Sequence, residues 1–232
     1  MSASVTSETY YDGFAQAPGH HVGLEGVVAA AGVGYEGADV FKAPEGSDRG
    51  LSSGNPFEGL SIPEGSSVVD LGCGAGRDCF LASYRAGAAG HVVGIDASDA
   101  MVAEARAIAK RDGFSNVEFA VGNVLAIPLP SSCADFVLSN CVFNNVDDKV
   151  AAFTEVRRIL KDGGTLSFSD VMTTPEASSR LAHSKTLCLA RAIPVEGYIR
   201  ALERAGFTRI DVTSLRPWPT YRGVVSAQVV AS

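Results

Sequence analysis

The chain has 232 residues, of which 46% are hydrophobic and 19% are charged, and its formal net charge is −7. This balance excludes a disordered or fibrous chain, and the length suits one α/β domain whose core needs no disulfide or structural metal. A protein that grips DNA or RNA needs a clustered excess of Lys and Arg, so the acidic charge argues against a nucleic-acid partner.

Targeting signals and disulfides are not expected. The first basic residues are Lys42 and Arg49, which come too late for a secretory or transit peptide, and no apolar run approaches the roughly 18 residues that cross a bilayer. The five cysteines form an odd set without a CxxC pair, which predicts reduced thiols and no structural zinc. We therefore expect a cytoplasmic protein without a membrane partner, and the sequence leaves the oligomeric state open.

The first 65 residues differ from the rest of the chain. Residues 19–65 contain eleven glycines and little helical or strand periodicity. Irregular, glycine-rich segments of this length are often functional covers. We predict that residues 1–65 form an N-terminal extension that acts as a lid, and that residues 66–232 form the main domain.

From residue 66 onward, short apolar runs alternate with segments of helical periodicity. Strands are predicted at 67–71, 91–95, 117–121, 135–139 and 165–168, followed by a final pair at 210–213 and 224–230. Helices are predicted over 77–86, from the cap Ser98 to 109, from 150 to the Asp162–Gly164 turn, and over 195–205. This alternation predicts a Rossmann-like α/β fold, with about seven mostly parallel strands and helices on both faces.

The turn between the first strand and the first helix is the most informative stretch. It reads Asp70-Leu71-Gly72-Cys73-Gly74-Ala75-Gly76-Arg77 and lies where a doubly wound sheet places its ligand. A dinucleotide fingerprint would have its third glycine at the position of Arg77. Asp70 would repel a pyrophosphate but attract the ammonium group of an amino-acid-like ligand.

Two further strand ends complete a ligand pattern. Asp96 comes 26 positions after Asp70 and can accept both hydroxyls of a ribose, and the Asn123 side chain can receive an adenine amino group. A nicotinamide site or a purely structural glycine turn are the alternatives, but the ordered set of three contacts favours S-adenosylmethionine. The predicted cofactor-binding residues are Asp70, Gly72, Cys73, Gly74, Gly76, Arg77, Asp96, Ala97, Met101, Gly122, Asn123, Val124 and Asn140.

Three segments carry a resemblance to a known family. They cover residues 34–56, 76–82 and 138–144, and the most specific run is Ser139-Asn140-Cys141-Val142, followed by Asn144. With these motifs the chain resembles class I methyltransferases, and more narrowly the arsenite methyltransferase family, from about Gly34 to Phe207. The resemblance implies a methyltransferase domain at residues 66–232 that takes its methyl group from S-adenosylmethionine.

The resemblance also implies the substrate and its ligands. In that family arsenite is held by cysteine thiolates, and Cys141 and Cys188 correspond to the two cysteines nearest the reacting methyl group. They would hold As(III) as the substrate of a detoxification reaction and not as a structural metal. Trivalent arsenic is soft and prefers thiolates, and its lone pair attacks the methyl group without a general base.

Three positions depart from the family pattern. Ser53 stands where a cysteine is usual, Arg191 follows Cys188 closely where small residues are usual, and Asn123 replaces a frequent acid. Because a serine hydroxyl is a poor arsenic ligand, glutathione or another soluble thiol is a candidate for the third sulfur. Two alternative functions stay open: methylation of a small organic acceptor (a quinone, sterol or thiol) and cofactor binding without catalysis.

Overall fold

The structure is a computed structural model that describes residues 34–35, 37–177, 187–218 and 222–232. Residues 1–33, the larger part of the predicted extension, lie outside the described residues. Within these described ranges, no helix is long and apolar enough to span a membrane.

Strands and helices alternate along the described chain. The strands are β1 (Ser67–Leu71), β2 (His91–Asp96), β3 (Val117–Val121), β4 (Ala134–Asn140), β5 (Leu160–Thr173), β6 (Ile210–Pro217) and β7 (Val224–Ala231). The helices are α1 (Gly37–Lys42), α2 (Arg77–Ala86), α3 (Asp99–Asp112), α4 (Lys149–Ile159), α5 (Leu187–Ala190) and α6 (Val195–Arg204), with a 3-10 turn at Phe143–Asn145. Each predicted strand is present, and the last three extend further than their apolar runs.

The strands form one sheet in the order β3-β2-β1-β4-β5-β7-β6. The first five strands in this order are parallel to one another, whereas β7 runs antiparallel to both β5 and β6. This arrangement confirms the predicted Rossmann-like class I fold. The chain order reverses between β1 and β4, so the carboxyl ends of these two strands flank the crevice in which such sheets bind ligands.

Two apolar clusters enclose the sheet. One contains buried residues of α2 and α3, and the other contains buried residues of α4 and α6. In the second cluster the ring centroid of Phe143 lies 4.6 Å from that of Phe153 and 5.1 Å from that of Phe168. Because Phe143 belongs to the turn that follows β4, this packing also anchors the crevice side of the sheet.

The end of α4 differs from the expectation. The helix ends at Ile159, before the Asp162–Gly164 turn that the sequence offers as a cap. Leu160 already pairs with Ala134 of β4, and a register shift separates this pair from the rest of the β4–β5 ladder. The buried pairing of Leu160 therefore ends the helix early, and residues 162–164 form an irregularity inside β5.

Glycines let the β1–α2 turn pack closely against its surroundings. Gly72 and Gly76 have φ values of 73° and 94°, in the left-handed region that favours glycine. A Cβ on Gly72 would collide with the side chain of Val142, and a Cβ on Gly76 would lie 2.8 Å from the rings of Phe80 and Phe119. The turn is thereby held between the loop after β4 and the core.

We expect Gly76→Ala to destabilise the fold more than Gly113→Ala. Gly113 also has a positive φ of 77°, but a Cβ there meets no atom within 4 Å. Gly113→Ala should therefore lower the free energy of unfolding by about 1 kcal/mol through backbone strain. Gly76→Ala should lower it by about 3 kcal/mol, because overpacking adds to that strain. Urea denaturation measures both, and equal losses would contradict the packing role of Gly76.

Candidate functional site

A cavity of about 440 Å³ lies at the carboxyl ends of β1, β2 and β4. Most of the predicted cofactor-binding residues line it: Asp70, Gly72, Cys73, Gly74, Arg77, Asp96, Ala97, Met101, Gly122, Asn123, Val124 and Asn140, together with Cys141. Of the residues predicted for the site, Gly76 and Cys188 are not part of this lining. Gly76 lies under the turn and contributes through packing.

One wall of the cavity comes from residues that the sequence analysis does not assign to the site. It is formed by Ser47, Asp48, Arg49, Leu51 and Ser52. Asp78, Val142 and residues 145–148 also line the cavity without having been predicted. The available signal was the family resemblance of residues 34–56, 76–82 and 138–144, which covers these positions except 145–148 but does not tell which side chains face a ligand.

The glycine turn and the end of β2 are joined by the Asp96 carboxylate. The Gly74 N–H donates to Asp96 Oδ2 at 2.8 Å, and the Ser98 N–H donates to Oδ1 at 2.9 Å. These bonds hold the carboxylate at the cavity, and a carboxylate oxygen accepts more than one hydrogen bond. The backbone therefore fixes the position of the Asp96 carboxylate at the cavity lining.

Burial and neighbouring carboxylates raise the pKa of Asp70 at the cavity. Asp70 is only 2% exposed, and its pKa lies well above the ordinary range because of burial, followed by repulsion from Asp78 and Asp96. The Cys79 thiol donates to Asp70 Oδ2 at 3.3 Å, which partly offsets this rise. Burial also raises the pKa of Asp78. A cation in the cavity would relieve this repulsion.

The buried Arg77 side chain has donors to spare. Its Nη1 donates to Asp48 Oδ2 at 2.8 Å, and its guanidinium carbon lies 3.8 Å from the centroid of the Tyr35 ring. Nε and Nη2 are buried and have no hydrogen-bond partner among the described residues. Since Arg77 also lines the cavity, its guanidinium places a positive charge beside the glycine turn.

The Asn140 amide holds the N-terminal segment against the sheet. Its Oδ1 accepts from the Ser53 N–H at 3.0 Å, and its Nδ2 donates to the Tyr35 hydroxyl at 2.9 Å and to the Gly54 carbonyl at 2.8 Å. Asn140 was predicted to bind the cofactor. It lines the cavity as expected, but its polar atoms already bind the chain itself.

The loop after β3 forms another edge of the cavity. A Cβ on Gly122 would lie 2.7 Å from Pro128, so only glycine fits where the chain leaves the strand. Asn123 is exposed at the rim, and its Oδ1 accepts from the Leu125 N–H at 2.9 Å. An adenine amino group at this position would share that oxygen.

The structure brings Cys141 and Cys188 together. Cys141 follows β4 directly and adopts a left-handed backbone conformation, with φ 60°, while its N–H donates to the Ser169 carbonyl at 2.9 Å. Cys188 lies on α5, and its side chain is hydrogen-bonded to that of Cys141. Neither cysteine is in a disulfide. The predicted ligand pair therefore forms one site beside the cavity.

The hydrogen bond between the two thiols separates their pKa values. The Cys141 S–H stabilises the Cys188 thiolate and lowers the pKa of Cys188 to about 7, although burial opposes the effect. The same bond raises the pKa of Cys141 well above its usual range, with further contributions from burial and from Asp170. Cys188 is therefore the thiol that ionises around neutral pH, while Cys141 keeps its proton.

Ser53 contacts the thiol pair through Cys141. Its side chain is buried, its Oγ lies 3.1 Å from the Ser169 carbonyl oxygen, and its hydroxyl also hydrogen-bonds Cys141, which opposes the rise in the Cys141 pKa. The departure from the family pattern therefore stands at the thiol site itself. Arg191, the second departure, donates from Nη1 to the Asn145 carbonyl at 2.7 Å.

Comparisons of the sequence with known proteins agree with this geometry. A family model described as "Methyltransferase domain" matches residues 62–207. Arsenite methyltransferase of Halobacterium salinarum is 36% identical over 183 residues, which are 78% of this chain and 47% of that protein. Demethylmenaquinone methyltransferase of Listeria welshimeri is 32% identical over 111 residues, which are 48% of this chain and 47% of that protein. The chain spans about half the length of these relatives.

A solved structure extends the agreement to the fold. An arsenic (III) S-adenosylmethionine methyltransferase from Chlamydomonas reinhardtii matches with a TM-score of 0.70 and 28% sequence identity, over 88% of this chain and 72% of that chain. The resemblance to arsenite methyltransferases that the motifs predict is thereby confirmed.

The hydrogen-bonded thiol pair predicts a specific pH dependence. Alkylation of Cys188 by iodoacetamide, followed by mass spectrometry, should rise with a midpoint near pH 7, because the thiolate is the reactive form. Cys141→Ala removes the S–H donor and should move the midpoint upward, toward the ordinary thiol value of about 8.5. Cys141→Ser keeps a hydroxyl donor and should shift it less. Identical midpoints in the wild type and Cys141→Ala would contradict the hydrogen bond.

Proposed function

The chain belongs to the methyltransferase-domain family, and on that premise we propose that it is an S-adenosylmethionine-dependent methyltransferase that acts on thiol-bound trivalent arsenic, a small-molecule substrate. The observation that carries this proposal is the Cys141–Cys188 pair, which lies at the end of β4 beside the cavity of the glycine turn. The cavity accounts for the methyl donor, and the thiol pair accounts for the acceptor.

The residues around the cavity suit S-adenosylmethionine. Its ammonium and sulfonium charges match the acidic floor of Asp70, Asp78 and Asp96, and the positive charge of Arg77, which lines the cavity, matches its carboxylate. The Asp96 carboxylate would accept the ribose hydroxyls, and Met101 would contact the adenine. When bound, S-adenosylmethionine supplies an electrophilic methyl group.

The thiol pair suits trivalent arsenic. The Cys188 thiolate forms the first As–S bond as one As–O bond of arsenite breaks, and the released hydroxide takes the Cys141 proton to give water. The Cys141 thiolate then forms the second As–S bond, and a second hydroxide leaves to solvent. Soft thiolates are the preferred ligands of such a centre, and the lone pair that attacks carbon belongs to arsenic, so no general base is needed.

An apolar cluster surrounds the arsenic position. Val171, Leu189, Ala192 and Val224 are buried there, and Cys141, Cys188 and Trp218 pack against them. We infer that this cluster keeps water away from the thiols and that the chain contributes mainly by positioning. Positioning of this kind is worth up to roughly 7–11 kcal/mol in well-oriented reactions.

The third sulfur is proposed to come from solution. Ser53 contacts Cys141 where the family pattern has a third cysteine, and its hydroxyl stays protonated at neutral pH. Glutathione or another soluble thiol would then complete the three-coordinate arsenic.

The N-terminal segment is proposed to cover the cofactor. Asp48 and Ser52 line the cavity, and the Arg77–Asp48 ion pair of 2.8 Å joins this segment to α2. In this proposal residues 1–65 form the lid, and residues 66–232 form the catalytic domain. The Asp48 contact to Arg77 would let the cover respond when a carboxylate engages the same guanidinium.

Neither alternative function explains the thiol pair. A quinone or sterol acceptor requires no second cysteine, and the demethylmenaquinone relative matches only 48% of the chain. A protein that only binds the cofactor requires no thiol with a pKa of about 7. Arsenic methylation uses both the second cysteine and the thiol with the lowered pKa.

Methyl transfer tests the proposal directly. We expect tritium from labelled S-adenosylmethionine to appear in methylated arsenic when arsenite and glutathione are present. Cys141→Ser and Cys188→Ser should each reduce the transfer at least about 100-fold, because one sulfur cannot chelate arsenic. Cys133→Ser is the matched control, since this partly exposed thiol lies in the turn before β4, and it should retain wild-type transfer.

Two outcomes would contradict the proposal. Wild-type protein that binds the cofactor and transfers no label to arsenite would direct the search to organic acceptors. Equal transfer by the wild type and both cysteine variants would remove the thiol pair from the reaction.

The role of an external thiol predicts the behaviour of Ser53→Cys. This variant should methylate arsenite several-fold faster than the wild type at limiting glutathione, because it supplies the third thiolate itself. At saturating glutathione the two rates should converge. Ser131→Cys is the matched control, because Ser131 is exposed and lies in the turn before β4, outside the cavity lining. An unchanged glutathione dependence in Ser53→Cys would contradict the proposal for the third ligand.

A further inference from the structure

Asn144 connects the two cysteines of the candidate site. It lies in the 3-10 turn that follows Cys141 and is only 1% exposed. Its backbone N–H donates to Asp170 Oδ2 at 2.8 Å, and its side-chain Nδ2 donates to the Cys188 carbonyl oxygen at 3.1 Å. One residue therefore binds both β5 and the helix that carries Cys188.

Cys141 is fixed to the same part of β5. Its N–H donates to the carbonyl of Ser169, and the next residue of β5 is Asp170, which receives the Asn144 N–H. Asp170 also accepts from the Tyr198 hydroxyl at 3.2 Å, and both side chains are fully buried. Two hydrogen bonds to β5, at Ser169 and Asp170, thus hold the turn that carries Cys141.

The element that carries Cys188 is short in the part of the chain that the structure describes. Cys188 lies on α5, a helix of four residues. Arg191 makes a second link from this region to the turn, but its side chain is 39% exposed. The buried amide of Asn144 is therefore the better placed of the two links to set the distance between the sulfurs.

We propose that Asn144 is a positioning residue for the thiol pair: its side-chain amide holds the Cys188 backbone so that both sulfurs bind one arsenic atom. The inference rests on the proposed function, since it concerns the same site. Two sulfurs held at the right separation bind as a chelate, and the second As–S bond then forms at a high effective concentration. Without the amide, the Cys188 thiol still reacts with arsenic, but its backbone is no longer held at the separation from Cys141 that a chelate needs.

The test uses the full chain and phenylarsine oxide, whose arsenic takes two thiolates. Asn144→Leu keeps the number and branching of the side-chain heavy atoms and removes the donor, and Asn144→Gln restores an amide donor. Trp218, the only tryptophan, packs in the cluster that contains both thiols, so its fluorescence reports arsenical binding. Asn116→Leu is the matched control, because Asn116 donates to the Gly87 carbonyl at 3.0 Å in another part of the fold.

We expect Asn144→Leu to weaken phenylarsine oxide binding by about tenfold or more, and Asn144→Gln to recover part of the loss. Affinity for S-adenosylhomocysteine should stay within about twofold of wild type, and iodoacetamide should still alkylate both cysteines completely, because each sulfur reacts alone. Asn116→Leu should bind the arsenical as the wild type does.

Three results would overturn the inference. Wild-type affinity in a folded Asn144→Leu would remove Asn144 from the site while leaving the proposed function intact. A parallel loss of S-adenosylhomocysteine binding would mean that Asn144 supports the fold in general. Equal binding by the wild type and Cys141→Ser would show that no chelate forms, and the proposed function would fail together with the inference.

Discussion

The side-chain amide of Asn140 joins the three parts of the candidate site. Asn140 is the last residue of β4 and lines the cavity. Its amide forms hydrogen bonds with Tyr35, Ser53 and Gly54 of the N-terminal segment. That segment forms one cavity wall and places Ser53 against the thiol pair. A single half-buried amide, hydrogen-bonded through both its oxygen and its nitrogen, thus ties the cavity wall to the end of β4, next to Cys141.

Electrostatics divides the site into two unlike halves. Burial disfavours the charged form of the carboxylates on the cavity floor. A cationic ligand would therefore stabilise these carboxylates in their ionised form. At the thiol pair, the Cys141 S–H stabilises a thiolate on Cys188. A cationic methyl donor and a soft thiophilic acceptor suit these two halves, and each half would accept the other's ligand poorly.

The site could be predicted from the sequence wherever a motif follows a strand. Asp70, Asp96 and the glycine turn are local features of strand ends, and parallel strands bring their carboxyl ends to one edge of the sheet. Asp48 and Ser52 were missed because they precede the first strand, and their contacts with Arg77 span 29 and 25 positions of the chain. The bridging role of Asn144 was missed for the same reason, since its partners are distant in the chain.

The sequence by itself determined the order of the elements, the α/β fold and the type of cofactor site, because hydrophobic periodicity and glycine spacing are local signals. Only the tertiary structure decided where α4 ends, since the pairing of Leu160 with Ala134 overrides a local capping signal. It also decided that Cys188 meets Cys141 and that Ser53 lies beside them. Such contacts depend on the packing of segments far apart in sequence, which no local pattern encodes.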